Sequence, residues 1–205
     1  MSKDHVASAL DVSRETMSRL ETYVELVGKW NPKINLVSRN SLSDIWSRHI
    51  LDSAQVFEYG NLTGDWLDIG SGGGFPGIVV AILGQEHAPE MKVTLIESDA
   101  RKSAFLRTVS RETNINATII TERVENVPPL GVNTLSARAL APLDALLGYA
   151  KYHLSDDGVA ILAKGATHAR EIAEARAKWN FELEEFQSRT DNEAVILRVG
   201  AITNA

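Results

Sequence analysis

Trp66-Leu67-Asp68-Ile69-Gly70-Ser71-Gly72-Gly73-Gly74-Phe75-Pro76-Gly77-Ile78-Val79-Val80-Ala81-Ile82-Leu83 decides how this chain folds. A short apolar run carries an acid, Asp68; five glycines then fall within positions 70–77, and a second apolar run follows. That order reads strand, tight turn, helix. Glycine lets the backbone take positive φ and lets a ligand approach without meeting a Cβ. The helix behind the loop turns its free N–H groups and positive dipole end toward whatever sits there. Pro76 suits the first helical turn, where its missing N–H costs nothing. Gly72-x-Gly74-x-x-Gly77 matches the dinucleotide fingerprint, and Glu97 lies at the end of the next apolar run, Val93-Thr94-Leu95-Ile96. A carboxylate placed there accepts hydrogen bonds from ribose hydroxyls. The loop therefore predicts a nucleoside-containing cofactor, held by Asp68, Gly70, Ser71, Gly72, Gly74, Phe75 and Glu97. The alternative is a glycine-rich connection that serves only close packing.

The 205 residues suit one α/β domain with a small appendage. A hydrophobic content of 44% is enough for a core, and no apolar run approaches the length of a membrane span. The start, Met1-Ser2-Lys3-Asp4-His5, lacks the pattern of a secretory signal. The absence of cysteine excludes disulfides, thiolate metal sites and a cysteine nucleophile, and fits a cytoplasmic protein. The net charge of −6 argues mildly against a polyanionic partner. Two stretches depart from it. Residues 29–48 hold Lys29, Lys33, Arg39 and Arg48 against Asp44, and residues 101–138 hold Arg101, Lys102, Arg107, Arg111, Arg123 and Arg138 against Glu112, Glu122 and Glu125. Either could be a nucleic-acid footprint or the solvated face of a helix.

Upstream of the loop, Met17, Leu20, Tyr23, Val24 and Val27 recur at helical steps over residues 12–30. Gly28 and the Asn31-Pro32 pair read as the stop. Ser41 with Asp44 resembles a capping box that opens a further helix carrying Ile45, Trp46, His49, Ile50 and Phe57 on a buried stripe. His49 and Asp52, three apart, could meet there, in a structural hydrogen bond or a catalytic one. Residues 1–60 thus form a helical N-terminal extension, a lid or brace, and residues 61–205 the main domain. In that domain strands are expected near 65–69, 93–97, 117–121, 133–137 and 158–163, and helices near 76–84, 100–112, 142–154 and 166–178. Phe181–Glu184 and Ala194–Val199 read as a final antiparallel pair. A seven-stranded sheet ending in such a hairpin suits the methyltransferase variant of the doubly wound, Rossmann-like α/β fold better than a dehydrogenase.

Ligands in such sheets bind beyond the carboxyl ends of the strands. Glu122-Arg123-Val124-Glu125, Ser136-Ala137-Arg138-Ala139 and Lys164-Gly165 all fall on that edge. Glu125 is placed to contact an adenine or an amine. Arg138 ends an apolar strand and needs an anionic partner: a substrate, a cofactor carboxylate, or an internal ion pair with Glu97, Glu122 or Glu125. No Tyr-x-x-x-Lys pair accompanies the loop, and no histidine falls on the predicted edge, so hydride transfer lacks its acid–base group. Pyrimidine carbon methylation would want the absent cysteine. The Asp/Asn-Pro-Pro-aromatic string used for exocyclic amines is missing, and the nearest carboxylate for a ribose hydroxyl, Asp144, lies several residues on. Transfer to an atom that already offers a lone pair remains, and it needs alignment rather than a base.

Trp30-Asn31 with Asn35-Leu36, Arg48-His49-x-Leu51-Asp52-Ser53, the Asp68–Gly77 loop with its Phe75-Pro76-Gly77 ending, Arg101-Lys102 with Phe105-Leu106, Arg123-Val124-Glu125 and Ser136-Ala137-Arg138-Ala139 occur in order. Together they resemble the 16S rRNA guanine-N7 methyltransferases, the RsmG or GidB family, over roughly residues 20–165. The resemblance implies a class I methyltransferase fold, S-adenosylmethionine as donor and a guanine of the decoding-region loop, family position 527, as acceptor. It implies that Gly70 and Phe75 line the cofactor, that Glu97 holds the ribose and that Val124-Glu125 lies beside the adenine. It places Arg138 at the active-site edge, with Arg123 as a second positioning arginine and neither metal nor general base. The partner would be 16S rRNA or the small ribosomal subunit, and the enzyme a cytoplasmic monomer. Gly73 stands where many members have proline. The competing readings are an RNA-binding ribosome-assembly factor without turnover and a nicotinamide-dependent oxidoreductase. As a strand-end residue, Glu97 is expected to matter little for folding.

Overall fold

Seven strands follow one another as β1 (Trp66–Ile69), β2 (Val93–Ile96), β3 (Ala117–Ile120), β4 (Val132–Arg138), β5 (Leu154–Lys164), β6 (Trp179–Gln187) and β7 (Val195–Asn204). The computed structural model describes residues 3–205, so Met1 and Ser2 of the expected extension lie outside the described residues. The strands form one sheet in the order β3-β2-β1-β4-β5-β7-β6. Neighbours among β1–β5 are parallel, and β7 runs antiparallel to both β5 and β6. The strand order reverses between β1 and β4, the switch point at which such sheets open a crevice. The seven-stranded Rossmann-like sheet and its antiparallel C-terminal pair are as the sequence predicts. Strands β4 to β7 are longer than expected, most of all β5 and β6, and β5 begins at the residue after the preceding helix ends.

Both faces of the sheet are covered, which is why its inner strands read as nearly unbroken apolar runs. Trp66, Leu95, Ile161 and Ile196 share one core with Leu20, Tyr23, Ile50, Ile78, Phe105 and Leu106. Those residues come from α2 (Arg14–Ile34), the wide π-helical turn Trp46–Leu51, α5 (Gly77–His87) and α6 (Ala100–Glu112). Leu67, Ile69, Leu135, Leu162 and Leu197 face the other way, onto Leu143, Leu146 and Leu147 of α7 (Leu143–His153) and Ala175 of α8 (His168–Ala175). The described part of the extension therefore packs on the same face as the helix behind the glycine loop.

Two boundaries in that extension differ from expectation. Helix α2 continues through Gly28 and Pro32 to Ile34. The carbonyl four residues back, the one a proline crowds, is that of Gly28, and the helix keeps its turn past it. The helix stops at Asn35, which takes the left-handed conformation at φ 51°. The Asn31 side-chain oxygen accepts from the N–H groups of Leu36 and Val37 at 2.7 and 2.9 Å. The asparagines are thus cap signals, acting one turn later than the proline suggested. Nor does Ser41 open the next helix: Ser38 caps the short α3 (Arg39–Leu42), and the π-helical turn leads directly into α4 (Asp52–Tyr59). A further helix, α1 (Lys3–Leu10), has no counterpart in the sequence reading.

Candidate active site

Ile69 stands opposite Ile96 on one side and Ala137 on the other. Gly70, Glu97 and Arg138, each the next residue in its strand's path, therefore leave the sheet at one level. Gly70, Gly72 and Gly74 have φ of 63°, 56° and 93°, so the loop needs glycine at all three. They do different things. A Cβ on Gly72 would meet only the Gly70 carbonyl, at 3.8 Å, so the loop is open to a ligand there. A Cβ on Gly74 would strike Ile78, the Tyr23 hydroxyl and Leu106, so that glycine serves packing. Gly70 and Gly72 are partly exposed, whereas Asp68, Ser71, Gly74 and Phe75 are buried.

Asp68 sits beneath the loop rather than on it. Its Oδ1 accepts from Ser136 Oγ at 2.7 Å, and Ser136 Oγ in turn accepts from Trp66 Nε1 at 2.9 Å. Burial pushes its carboxyl up to about 6, against the Ser136 hydrogen bond and the field of Arg138. Its Oδ2 has no hydrogen-bond partner, and a Cβ at Gly77 would come within 2.6 Å of that oxygen. Gly77 thus lets helix α5 close onto Asp68.

Glu97 is 7% exposed, and its carboxylate ties the loop down. Gly72 N–H donates to Oε2 and Asp99 N–H to Oε1, both at 2.7 Å. This corrects the expectation that Glu97 matters little for folding: a strand end is exposed only if nothing folds over it, and here two loops do. A carboxylate has about four acceptor positions, so two remain for ribose hydroxyls. The open face at Gly72, the N-terminus of α5 and this half-used carboxylate fit the sugar end of a nucleoside cofactor. Further along, Val124 is buried, and its carbonyl lies 3.4 Å from His153 Nε2. Glu125 is exposed and accepts from Tyr149 Oη at 2.5 Å, which holds its carboxyl below the usual range.

Arg138 finds none of the three internal partners the sequence offered. Its Nη1 donates to Asp52 Oδ2 at 3.3 Å and to the Arg48 carbonyl at 3.2 Å, and its Nη2 lies 2.7 Å from His49 Nδ1. The guanidinium carbon stands 5.3 Å from the Phe75 ring centroid, and His49 packs on the same ring at 4.7 Å. The histidine that sequence reasoning kept off this edge is therefore on it, brought by the π-helical turn of the extension. His49 and Asp52 do share a neighbourhood, but they meet through Arg138. The available signal was the Arg48-His49-x-Leu51-Asp52 string on a helical stripe; it could not show which loop that stripe reaches. Since guanidinium only donates, His49 Nδ1 accepts and its proton rests on Nε2, which is buried without a partner. Burial, then the charges of Arg138 and Arg48, push the imidazole down to about 3.

Of the other candidates, Lys164 follows Ala163, the strand partner of Arg138, while Arg123 and Asp144 lie apart from this cluster. Arg123 is exposed and follows β3, three strand positions from β4, with no contact to Arg138 among the described residues. Lys164 pairs with Glu171 at 2.6 Å. Asp144 is held by Lys178 and the Trp179 indole, both at 2.7 Å. Tyr23 and Leu140 were missed. Tyr23 is fully buried in α2, donates to the Gly73 carbonyl at 2.6 Å and packs on Phe75, clamping the loop from behind. Leu140 covers Gly70: a Cβ there would meet its Cδ1 at 2.5 Å. Among the described residues no helix is long and apolar enough to cross a membrane.

Solved structures share the fold at low identity. A TehB-like SAM-dependent methyltransferase from Corynebacterium glutamicum superposes with a TM-score of 0.57 at 14% identity, covering 88% of this chain and 98% of that one. TYW2 from M. jannaschii in complex with AdoMet gives 0.58 at 14%, over 83% and 78%. Curated relatives are much nearer. "Ribosomal RNA small subunit methyltransferase G" of Ruegeria sp. (strain TM1040) is 53% identical over 94% of both chains, and that of Cereibacter sphaeroides (strain ATCC 17029 / ATH 2.4.9) is 46% identical over the whole of both. The family described as GidB, rRNA small subunit methyltransferase G, matches residues 16–195, which takes in the extension that delivers His49 and Asp52 as well as the glycine loop. With sheet order, loop and full-length relatives in agreement, and the oxidoreductase alternative thereby removed, the chain belongs to the rRNA small subunit methyltransferase G family.

Proposed function

We propose that this protein transfers a methyl group from S-adenosylmethionine to N7 of a guanine in 16S rRNA, at the family position 527 in the decoding-region loop. The observation that carries the N7 assignment is the lack of an available base at the transfer edge. His49 offers no lone pair while Nδ1 accepts from Arg138, and at a pKa of about 3 it is neutral and weakly basic. Asp52 is paired with Arg138, and Asp68 is sealed beneath the loop. Guanine N7 carries no proton, so its methylation needs none of these. When bound, S-adenosylmethionine supplies a sulfonium methyl, whose S–C bond breaks as N7–C forms while the positive charge passes to the base.

The chain's own residues then bind and align. Gly70 and Gly72 offer backbone to the cofactor, Glu97 takes the ribose hydroxyls and the Val124-Glu125 turn borders the adenine. Asp68, Ser71, Gly74 and Phe75 shape the loop from within, and the described part of the helical extension braces it through Tyr23. Arg138, fixed from three sides, presents its remaining N–H groups to the acceptor base or an RNA phosphate. Arg123, on a separate part of the edge, belongs with Arg101 and Lys102 as an RNA contact.

Labelled S-adenosylmethionine and undermethylated small subunits test this reading. Label at N7 of one guanine is expected; binding of the cofactor without transfer would favour an assembly factor, and label on another atom would refute the N7 assignment.

A further inference from the structure

Beside Arg138, away from the glycine loop, lies a cavity of about 240 Å³. Asp52, Arg138, Lys164, Glu171, Ser188 and Val195 line it. It is smaller than the roughly 300–1,000 Å³ that houses a drug-sized ligand, and suits one flat ring system better than a whole nucleotide. Two ion pairs stand in its wall: Arg138 with Asp52 at 3.3 Å and Lys164 with Glu171 at 2.6 Å, all four side chains mostly buried. The connection between β6 and β7 closes it: Thr190 Oγ1 donates to Asp52 Oδ1 at 3.0 Å, and Ser188 reaches the same oxygen at 3.5 Å.

Donor counting shows what the two pairs still lack. Arg138 has five N–H groups and three protein contacts. Glu171 has about four acceptor positions. Thr167 Oγ1 donates to its Oε1, and Leu143 N–H and Lys164 Nζ donate to its Oε2, which leaves one position on Oε1. A cavity that still offers donors at one ion pair and an acceptor at the other matches guanine. That base carries O6 beside N7 on one edge, and N1–H and the N2 amine on the opposite side. Adenine would put its amine where Arg138 donates and only a C–H where Glu171 accepts.

We propose that this cavity receives the acceptor guanine, N7 toward the glycine loop and the N2 amine donating to the free position on Glu171 Oε1, making Glu171 a specificity-determining residue. The inference rests on the guanine-N7 reading above. It gives the C-terminal part of the chain a task, since Glu171 lies on α8 and Ser188 and Val195 flank the β6–β7 connection.

The test uses small subunits rebuilt on ligated 16S rRNA that carries guanine or inosine at the acceptor position. Inosine keeps N7, O6 and N1–H and lacks only the N2 amine. Dissociation constants for the full-length protein and single-turnover transfer rates are measured on both. For the unaltered protein, inosine should weaken binding about tenfold, as loss of a charge-assisted hydrogen bond does. The double variant Lys164→Met, Glu171→Met removes both charges of the pair together, and should bind guanine and inosine subunits within about twofold of each other. Equal binding of the two by the unaltered protein, which needs no variant to fold, would overturn the proposal. So would a double variant that retains the tenfold preference. If guanine subunits accept no label at N7, the functional reading fails and the pocket assignment with it.

Discussion

Replacing Arg138 with lysine keeps the charge and removes the fork. The guanidinium spans His49 Nδ1 with one terminal nitrogen, and Asp52 and the Arg48 carbonyl with the other. A single ammonium cannot occupy both places, so at least one charge-assisted hydrogen bond is lost, at about 1.5–3 kcal/mol. The fold should survive, because Phe75 is held independently by Tyr23. Transfer should fall about 100-fold, the cost of a misplaced reacting group. The assay is single-turnover methylation of undermethylated small subunits from about pH 6 to 9, where a tuned base would titrate. Both proteins should give flat profiles, since His49 titrates at about 3, chiefly through burial, which the substitution leaves in place. Full activity in Arg138→Lys would reduce the arginine to a structural charge. A rate that climbs through one ionisation would mean that His49 or Asp52 is freed to act as a base.

Glu97→Ala should weaken S-adenosylmethionine binding by about 1.5–3 kcal/mol in calorimetry, and should also lower stability, because two loop N–H groups lose their acceptor; unchanged affinity would sink the ribose assignment. Neutralising Arg101 and Lys102 should make the salt dependence of RNA binding shallower by about 1.5 in log–log slope while cofactor affinity holds; an unchanged slope would put the RNA path elsewhere, and Arg123→Lys should act as mildly as other backbone contacts. For Asp68 the sign follows from its raised pKa. The folded protein holds that proton more tightly, so the stabilisation is complete below the ordinary value of 3.8 and is lost as pH rises through about 6. Urea unfolding should therefore show Asp68→Asn gaining on the unaltered protein by up to roughly 3 kcal/mol between pH ~4 and ~7. His49, shifted the opposite way, is common to both proteins and cancels; a difference independent of pH would refute the buried-carboxyl argument.

What the sequence determined by itself is local. A glycine loop between two apolar runs, with an acid at the next strand end, fixes strand, turn and helix, because backbone sterics and dipoles act over a few residues. The alternation that follows fixes the sheet class, and Glu97 and Arg138 were legible because strand ends converge on one edge. Tertiary structure decided the partners. His49, Asp52 and Tyr23 sit on helices whose periodicity shows only that one side is buried, not which loop it is buried against. Glu97 was legible as a ribose acceptor but not as the anchor of Gly72, since that contact depends on how the loop folds back. Helix α2 ran past Pro32 to Asn35, where a left-handed residue and the Asn31 side chain end it. Glu171 and Ser188 reach the cavity only once α8 and the antiparallel β7 close against β5. The contacts of Tyr23, Glu97, Arg138 and Ser188 span 25 to 136 residues of chain, and no local pattern encodes them; the packing that excludes water from both faces of the sheet does.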